Sequence, residues 1–418
     1  MFVVQRTSAK GSQMQCTVPH PVPATSSHAA SPGSIRLVVC PSALLAAFAT
    51  VPDPRRCQGV RFALSAILAL AVAAILSNHL SVLAIAEWGT TQRPDLLRAL
   101  GFQDGVTPHQ STIQRLFRKL NPDGLSTALT NYFEPSTLSE RRRGSQGVAI
   151  DGKAQRGRLA FNSEGCPVHA LSAFLHEQGI VLAQEPIESN GPAEKAEAEL
   201  TVAPDLLKRL DWHGRVMTGD ALFCQRNLCQ QAVEAGGDYL LIVKANQRTL
   251  YNDIRLLFDP PADCLPLDDS RDAQTVDNGH GRHRDTRRLI ASTDLVGYSD
   301  WPGLAQVFRH ERTWQERDTT KREVHYGITS LPPDIAGAER LLALKRGHWQ
   351  IENGLHYVKD VTLGEDRSLV HLGNGPTVMA MLRDVSISLL RQAGCRTIAQ
   401  RLRYHSRHPE EVVALLAG

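Results

Sequence analysis

"GRVMTGDALFCQRNLCQQAVEAGGDYLLIVKA" (214–245) is the stretch that decides the fold class. Its opening, "RVMTG", is a short apolar run that stops at an acid, Asp220. "CQRNLCQQAVEA" then places Leu228 and Ala232 one helical turn apart and is closed by Gly236 and Gly237, residues that cap a helix without steric cost. "DYLLIVKA" follows as a continuous apolar run of strand length. Strand–helix–strand alternation of this kind predicts an α/β layer fold with a mostly buried sheet.

Toward the N-terminus, "VAIDGK" (148–153) is another short strand with an acid, Asp151, near its end. "HALSAFLHEQGIVLAQEPI" reads as two strands around a His-Glu-Gln-Gly turn, and "AEKAEAELTVAPDLLKRL" as a helix. Before the basic turn "ERRRGSQG", residues 41–140 have helix-forming composition. Within them "TPHQSTIQRLFRKL" (107–120) carries a start signal, Thr107 as N-cap and Pro108 at the first helical position. Ile113, Leu116 and Leu120 face a core there, and Arg115, Arg118 and Lys119 make either a DNA-contacting face or an ordinary solvated one. Residues 1–40, rich in Ser, Thr, Pro and Ala, predict a disordered tail. Downstream, about 250–335 breaks the alternation with polar loops and short strands ("RLIAST", "AQVFRHERTW", "EVHYGITSL"), a β-rich insertion. Helical sequence resumes at "GAERLLALKRGHWQIEN" and runs to the end, so the α/β part with its insertion spans 145–418.

Composition narrows the class. At 418 residues the chain is long enough for two or three units with real cores, and 42% hydrophobic with 21% charged residues is globular. A net charge of +3 neither requires nor forbids nucleic acid, so phosphate contacts must come from local basic clusters at 141–143, 153–158, 282–288 and 340–346. Eight cysteines without a CxxC pair argue against structural zinc and suit a cytoplasmic protein with reduced thiols. The apolar run Phe62–Leu76 is shorter than the roughly 20 residues that span a bilayer, which predicts buried helix and no membrane partner.

Asp151 and Asp220 both lie near the carboxyl ends of apolar strands, where α/β sheets gather ligand-binding groups. Acids brought together there repel unless a cation lies between them. Mg²⁺ takes oxygen ligands from a few carboxylates and fills its remaining positions with water and phosphate. Two strand acids and a third from a helix would suit two-metal phosphoryl transfer. Taken singly, each acid is as readily a turn or surface residue.

From about residue 42 onward the chain resembles the ISAs1-type bacterial insertion-sequence transposases, which include the H-repeat-associated proteins. "VPDPRRCQGVRFALSAILALAVAAILS", "TPHQSTIQRLFRKLNP", "AIDGKAQRG", "TGDALFCQ", "YLLIVKANQ", "GHGR", "WPGLAQV" and "GHWQIENGLHYVKDVTLGEDRS" carry the resemblance in order. It implies an RNase H-like catalytic core behind a helical N-terminal domain, with a β-rich insertion before the third acid. It also implies a DDE triad of Asp151, Asp220 and Glu352 that serves as catalytic and metal-binding set.

The same resemblance implies DNA-binding roles for Lys153, Arg156, Lys244, Asn246, Gln247, Arg346, His348, Asn353 and Lys359. Lys359, seven positions past Glu352, would share its α-helical face and grip a phosphate. Trp349 would either seat the helix on the sheet or stack on a base. The implied reaction is Mg²⁺-dependent cleavage at terminal inverted repeats and joining to target DNA, with Mn²⁺ as a substitute and a homodimer synapsing two ends. A nuclease that cleaves without joining, or an inactive DNA-binding remnant, are the alternatives. The Tyr of the wider Tyr-Arg-Glu-Lys signature is absent from "LLALKRGHW", and Tyr357 stands where close relatives carry Trp.

Overall fold

The computed structural model describes residues 41–56, 58, 60–136, 142–155, 169–187, 195–261, 267, 269–277, 285–316 and 319–417. The tail expected over 1–40 and the candidate Arg156 lie outside the described residues.

Six helices come first: α1 (Pro41–Ala49), α2 (Leu64–Leu76), α3 (Val82–Thr91), α4 (Pro94–Ala99), α5 (Gln110–Lys119) and α6 (Pro122–Ser136). α2 has no polar stripe, and every residue in it but Ser65 is buried, as a helix apolar on all sides must be. Among the described residues no helix is long and apolar enough to cross a membrane. α5 starts two positions later than its sequence signal indicates. His109, not Thr107, is the N-cap, its Nδ1 accepting from the Ser111 amide. Ile113, Leu116 and Leu120 are buried beneath it, and Arg115, Arg118 and Lys119 are exposed.

The second part alternates as β1 (Gln146–Ala154), β2 (His169–Leu175), β3 (Ile180–Ile187), α7 (Lys195–Lys208), β4 (Arg215–Gly219), α8 (Arg226–Glu234) and β5 (Asp238–Val243). Then come α9 (Arg248–Phe258), β6 (Arg271–Asp277), β7 (Asp285–Ser292), β8 (Gln306–Glu316), β9 (Thr319–Thr329), α10 (Ala338–His348), α11 (Gly375–Gln392), α12 (Ile398–His405) and α13 (Pro409–Ala417).

All nine strands join one sheet in the order β3-β2-β1-β4-β5-β9-β8-β7-β6. Antiparallel β3-β2-β1 followed by parallel β4 and β5 form an RNase H-like core. The strands of the 250–335 region extend this sheet, β9 pairing antiparallel with β5. α10 covers one face over Val216, Leu240, Leu289 and Phe308. On the other face α6, α7 and α11 pack against β3, and a single core continues from there into α1–α5 and α13. The N-terminal helices are therefore joined to the sheet by packing: Ser126 Oγ of α6 donates to the Gln184 carbonyl of β3 at 2.7 Å.

Candidate active site

The sheet register brings the two strand acids level. Ala149 of β1 pairs with Thr218 of β4, an offset of 218 − 149 = 69. The acids have the same offset, 220 − 151 = 69, so both come two residues past the last β1–β4 pair, at the same end of the two strands.

Glu352 comes from the far side of the chain. The backbone after α10 does not continue as an α-helix: Ile351–His356 and Val358–Thr362 are π-helical. Ile351 and Leu355 anchor this segment in the core, leaving Glu352 open to solvent. Ligand atoms of Asp151, Glu352 and His356 lie within 4.8 Å of one another. His356 Nδ1 is 3.5 Å from Asp151 Oδ2 and 3.5 Å from Glu352 Oε2. Asp220 is not part of that tight set. Its Oδ1 accepts from the Leu222 amide at 2.8 Å, capping a 3₁₀ turn, Ala221–Phe223, while its charge is still felt at Asp151.

The electrostatics follow from crowding. Burial, then the charges of Glu352, Glu199 and Asp220, push the Asp151 carboxyl up to about 8. Glu352 is held below its ordinary value, first by His356 and then by a hydrogen bond from Asp151 and the charge of Lys153. Asp220 is raised by the recess around its carboxyl group and by Glu199, although the residue itself is exposed and Lys244 pulls the other way. A protonated Asp151 beside an ionised Glu352 is how a carboxylate pair stands when no cation is near. Two carboxylate oxygens and an imidazole nitrogen at this separation, with Asp220 alongside, form a donor set that suits a divalent cation.

Around this centre several residues given DNA roles from sequence have partners within the protein. Lys153 Nζ donates to Asp360 Oδ2 at 2.6 Å, so its charge is spent inside the site. Asn246 Nδ2 donates to the Ala221 carbonyl (2.7 Å) and Gln247 Nε2 to the Cys224 carbonyl (3.0 Å). These amides brace the turn that follows Asp220. Nearby Lys244 is exposed. The His348 ring turns toward β4, its Nδ1 3.3 Å from Thr218 Oγ1, and burial holds its pKa down to about 4. Arg346 is held by Thr275 Oγ1 (3.1 Å) and Asp277 Oδ2 (2.8 Å).

Lys359 is the clearest correction. A π-helix closes its hydrogen bonds at i→i+5, so seven residues no longer bring the chain back to one face. Lys359 is interior, its Nζ 2.9 Å from Asp384 and 3.5 Å from Glu365. Trp349 does not seat the helix either. It is 57% exposed, and Lys345 Nζ lies 5.9 Å from its ring centre.

Trp349, Arg346 and Asn353 instead line one wall of a cleft of about 640 Å³ between α10 and the β7–β9 strands, with Arg287, Arg312, His310, His325, Lys345 and the acid Glu323. Burial lowers the Lys345 ammonium to about 8, and no ion pair holds it among the described residues.

Sequence reading missed His356 and Glu199. His356 had a visible signal, the Glu-x-x-x-His spacing from Glu352. Glu199 had none. It is buried on α7 with Oε1 2.8 Å from His169 Nε2, and its charge reaches both Asp151 and Asp220.

An RNase H-like sheet whose adjacent parallel strands carry paired acids, completed by a carboxylate from a later helix, defines a nucleic-acid-processing class of protein. Residues 142–389 match the family model described as "Transposase DDE domain", and residues 45–133 the one described as "DDE_Tnp_1-associated". The chain belongs to the DDE transposase family. It is 28% identical over 382 residues to the "H repeat-associated putative transposase YhhI" of Escherichia coli (strain K12), covering 88% of this chain and 96% of that protein. It is 33% identical over 291 residues to the "Uncharacterized protein in dhlA 3'region" of Xanthobacter autotrophicus, covering 69% of this chain and 94% of that protein. A solved piggyBac transposase synaptic complex with hairpin DNA aligns with TM-score 0.39 and 10% identity over 89% of this chain and 78% of that one, a likeness too slight to carry an argument.

Proposed function

We propose that this transposase cuts DNA at the terminal inverted repeats of its own insertion sequence and joins the freed ends to target DNA. The observation that supports this best is the convergence of Asp151 and Glu352, 201 positions apart (352 − 151), to within 4.8 Å of each other. In this reading Asp151, Asp220 and Glu352 hold divalent cations, Mg²⁺ or Mn²⁺. Such ions, when bound, lower the pKa of an attacking hydroxyl and stabilise the leaving oxygen.

The protein's own groups have separate tasks. Asp151 gives up its proton as the site fills, since a bound cation offsets the burial and the neighbouring carboxylate charges that hold its carboxyl up. Asn246 and Gln247 fix the turn after Asp220, and with it the carboxylate that caps it. Exposed Lys244 and the basic cleft beside Glu352 hold backbone phosphates on either side of the reacting one. The exposed Arg115, Arg118 and Lys119 of α5 add a further phosphate-binding face.

In cleavage, a water oxygen bonds to phosphorus and the P–O3′ bond breaks, leaving a 3′-hydroxyl that takes the proton. In joining, that 3′-hydroxyl attacks a target phosphodiester and releases one target 3′-hydroxyl. One phosphodiester forms as one breaks, so joining requires no energy-supplying co-reactant. Two ends must be held together, and a homodimer does this.

Purified protein, Mg²⁺ or Mn²⁺, labelled terminal repeats and a target plasmid test the proposal. Strand transfer that is lost in Asp151→Asn with end-binding retained is the expected result. Cleavage without joining would make the protein a nuclease, and binding with neither would make it an inactive remnant.

A further inference from the structure

We propose that His356 is itself a metal ligand, giving the site a nitrogen donor at Nδ1 beside the oxygens of Asp151 and Glu352. The proposal rests on the reading that those two acids bind a divalent cation, and it adds the chemical character of the site.

The geometry is the first support. Nδ1 is equidistant, at 3.5 Å, from Asp151 Oδ2 and Glu352 Oε2, too far for a short hydrogen bond to either. Atoms that share an ion at bond lengths of about 2.1 Å stand about 3.0–3.5 Å apart, depending on whether they meet at octahedral or tetrahedral angles. Nδ1 already stands at that spacing from both oxygens, and the ligand atoms of all three residues lie within 4.8 Å of one another.

Burial is the second. His356 is 6% exposed, and its Nε2 makes no hydrogen bond among the described residues. No second hydrogen bond fixes the ring, which leaves its place to packing and to the backbone that carries it. That backbone is the π-helical turn Ile351–His356, an uncommon geometry that recurs at functional sites.

A nitrogen ligand has a consequence an all-oxygen site lacks. Imidazole suits first-row transition ions better than Mg²⁺ or Ca²⁺, whose preference is for oxygen, and Mn²⁺, though lowest of that series, accepts nitrogen more readily than Mg²⁺ does. The site should therefore favour Mn²⁺ over Mg²⁺ more strongly than carboxylates alone would, and His356 should set that ratio.

Mn²⁺ titrated into the full chain, followed by pulsed EPR of the bound ion, tests this without reference to activity. Wild type should show ¹⁴N coupling from one imidazole, replaced by ¹⁵N coupling when the protein carries ¹⁵N-histidine, a control that needs no substitution. His356→Gln should abolish the coupling and weaken Mn²⁺ about tenfold while changing Mg²⁺ much less, with thermal melting confirming that the variant folds. Mn²⁺ whose binding is lost in Asp151→Asn but which shows no nitrogen coupling would overturn the proposal and leave the carboxylate site standing. Coupling that survives His356→Gln would overturn it as well. Absence of any Mn²⁺ binding sensitive to Asp151→Asn would remove the cation reading underneath, and the proposal with it.

Discussion

Lys359 Nζ stands 2.9 Å from Asp384 Oδ1, and both side chains are at most 5% exposed. Burial alone would depress the ammonium, but Asp384 and Glu365 beside it hold it above its ordinary value. Removing one partner of such a pair leaves an uncompensated interior charge, which costs about 3–5 kcal/mol. Lys359→Ala should destabilise the protein toward the lower part of that range, because Arg383 still faces Glu365. Urea unfolding measures the loss. The salt dependence of DNA binding by the folded variant should not change, and a slope reduced by about one charge at unchanged stability would return Lys359 to the DNA surface.

The raised carboxyl of Asp151 makes metal binding and stability respond to pH in a set direction. Its folded value, about 8, lies above the ordinary 3.8. Between those values the native state binds a proton that the unfolded state has lost, so metal-free stability falls as pH rises through that window. A divalent cation displaces the proton. The increase in melting temperature caused by Mn²⁺ should therefore grow from pH 6 to pH 9 and flatten in Asp151→Asn. A pH-independent increment would contradict the assignment.

A second pH effect has the opposite sign. His176 is buried with Nε2 2.9 Å from Thr218 Oγ1, and burial followed by the charge of His348 lowers its pKa to about 3. An added Cβ at Gly147 or Gly347 would meet its ring within 2.4 Å, so β1 and α10 close on it too tightly for a hydrated cation. With the folded value below the unfolded one, the stabilisation is present above about pH 6.5 and is lost as pH falls toward 3. Each pH unit below 6.5 should cost up to about 1.4 kcal/mol for this residue. Denaturant melts of wild type and His176→Gln between pH 4 and 7 check it: the variant should start less stable and depend less on pH.

In the proposed mechanism Asn246 is a positioning residue, since its Nδ2 donates to the Ala221 carbonyl immediately after Asp220. Asn246→Ala frees that carbonyl and loosens the turn. Misplacing a reacting group by an ångström costs up to about a hundredfold in rate, so cleavage should fall about tenfold to a hundredfold. Affinity for terminal-repeat DNA should stay within about twofold, because the amide is spent on the backbone. A gel-shift assay run beside single-turnover cleavage separates the two, and a parallel loss of binding would restore Asn246 as a DNA contact.

Much of the architecture was legible in local pattern. Apolar runs gave β1 to β5 and β7 to β9, and glycines closed α8. β6 was not legible, since "RDAQTVD" buries only Ala273 and gains its place by pairing with β7. α9 lay hidden in a region read as loops and short strands, where "RTLYNDIRLLF" buries only Leu250 and Ile254. The π-helical run after α10 was not legible either. Its residues have helical spacing, and only packing of Ile351 and Leu355 against the sheet selects the wider turn.

What the sequence determined by itself was the set of elements and the acids on them, because a short apolar strand ending in Asp is a local pattern with a local cause. It also contained the register, unrecognised: the 69-residue spacing of Asp151 and Asp220 equals the offset at which β1 pairs with β4. Tertiary structure decided which side chains face the site. Whether Lys359 meets a phosphate or Asp384, and whether His356 reaches Asp151, depends on a fraction of a helical turn and on partners far away in the chain. Side-chain direction around a helix is set by backbone winding and the surface it packs on, and neither is a property of a short stretch of sequence.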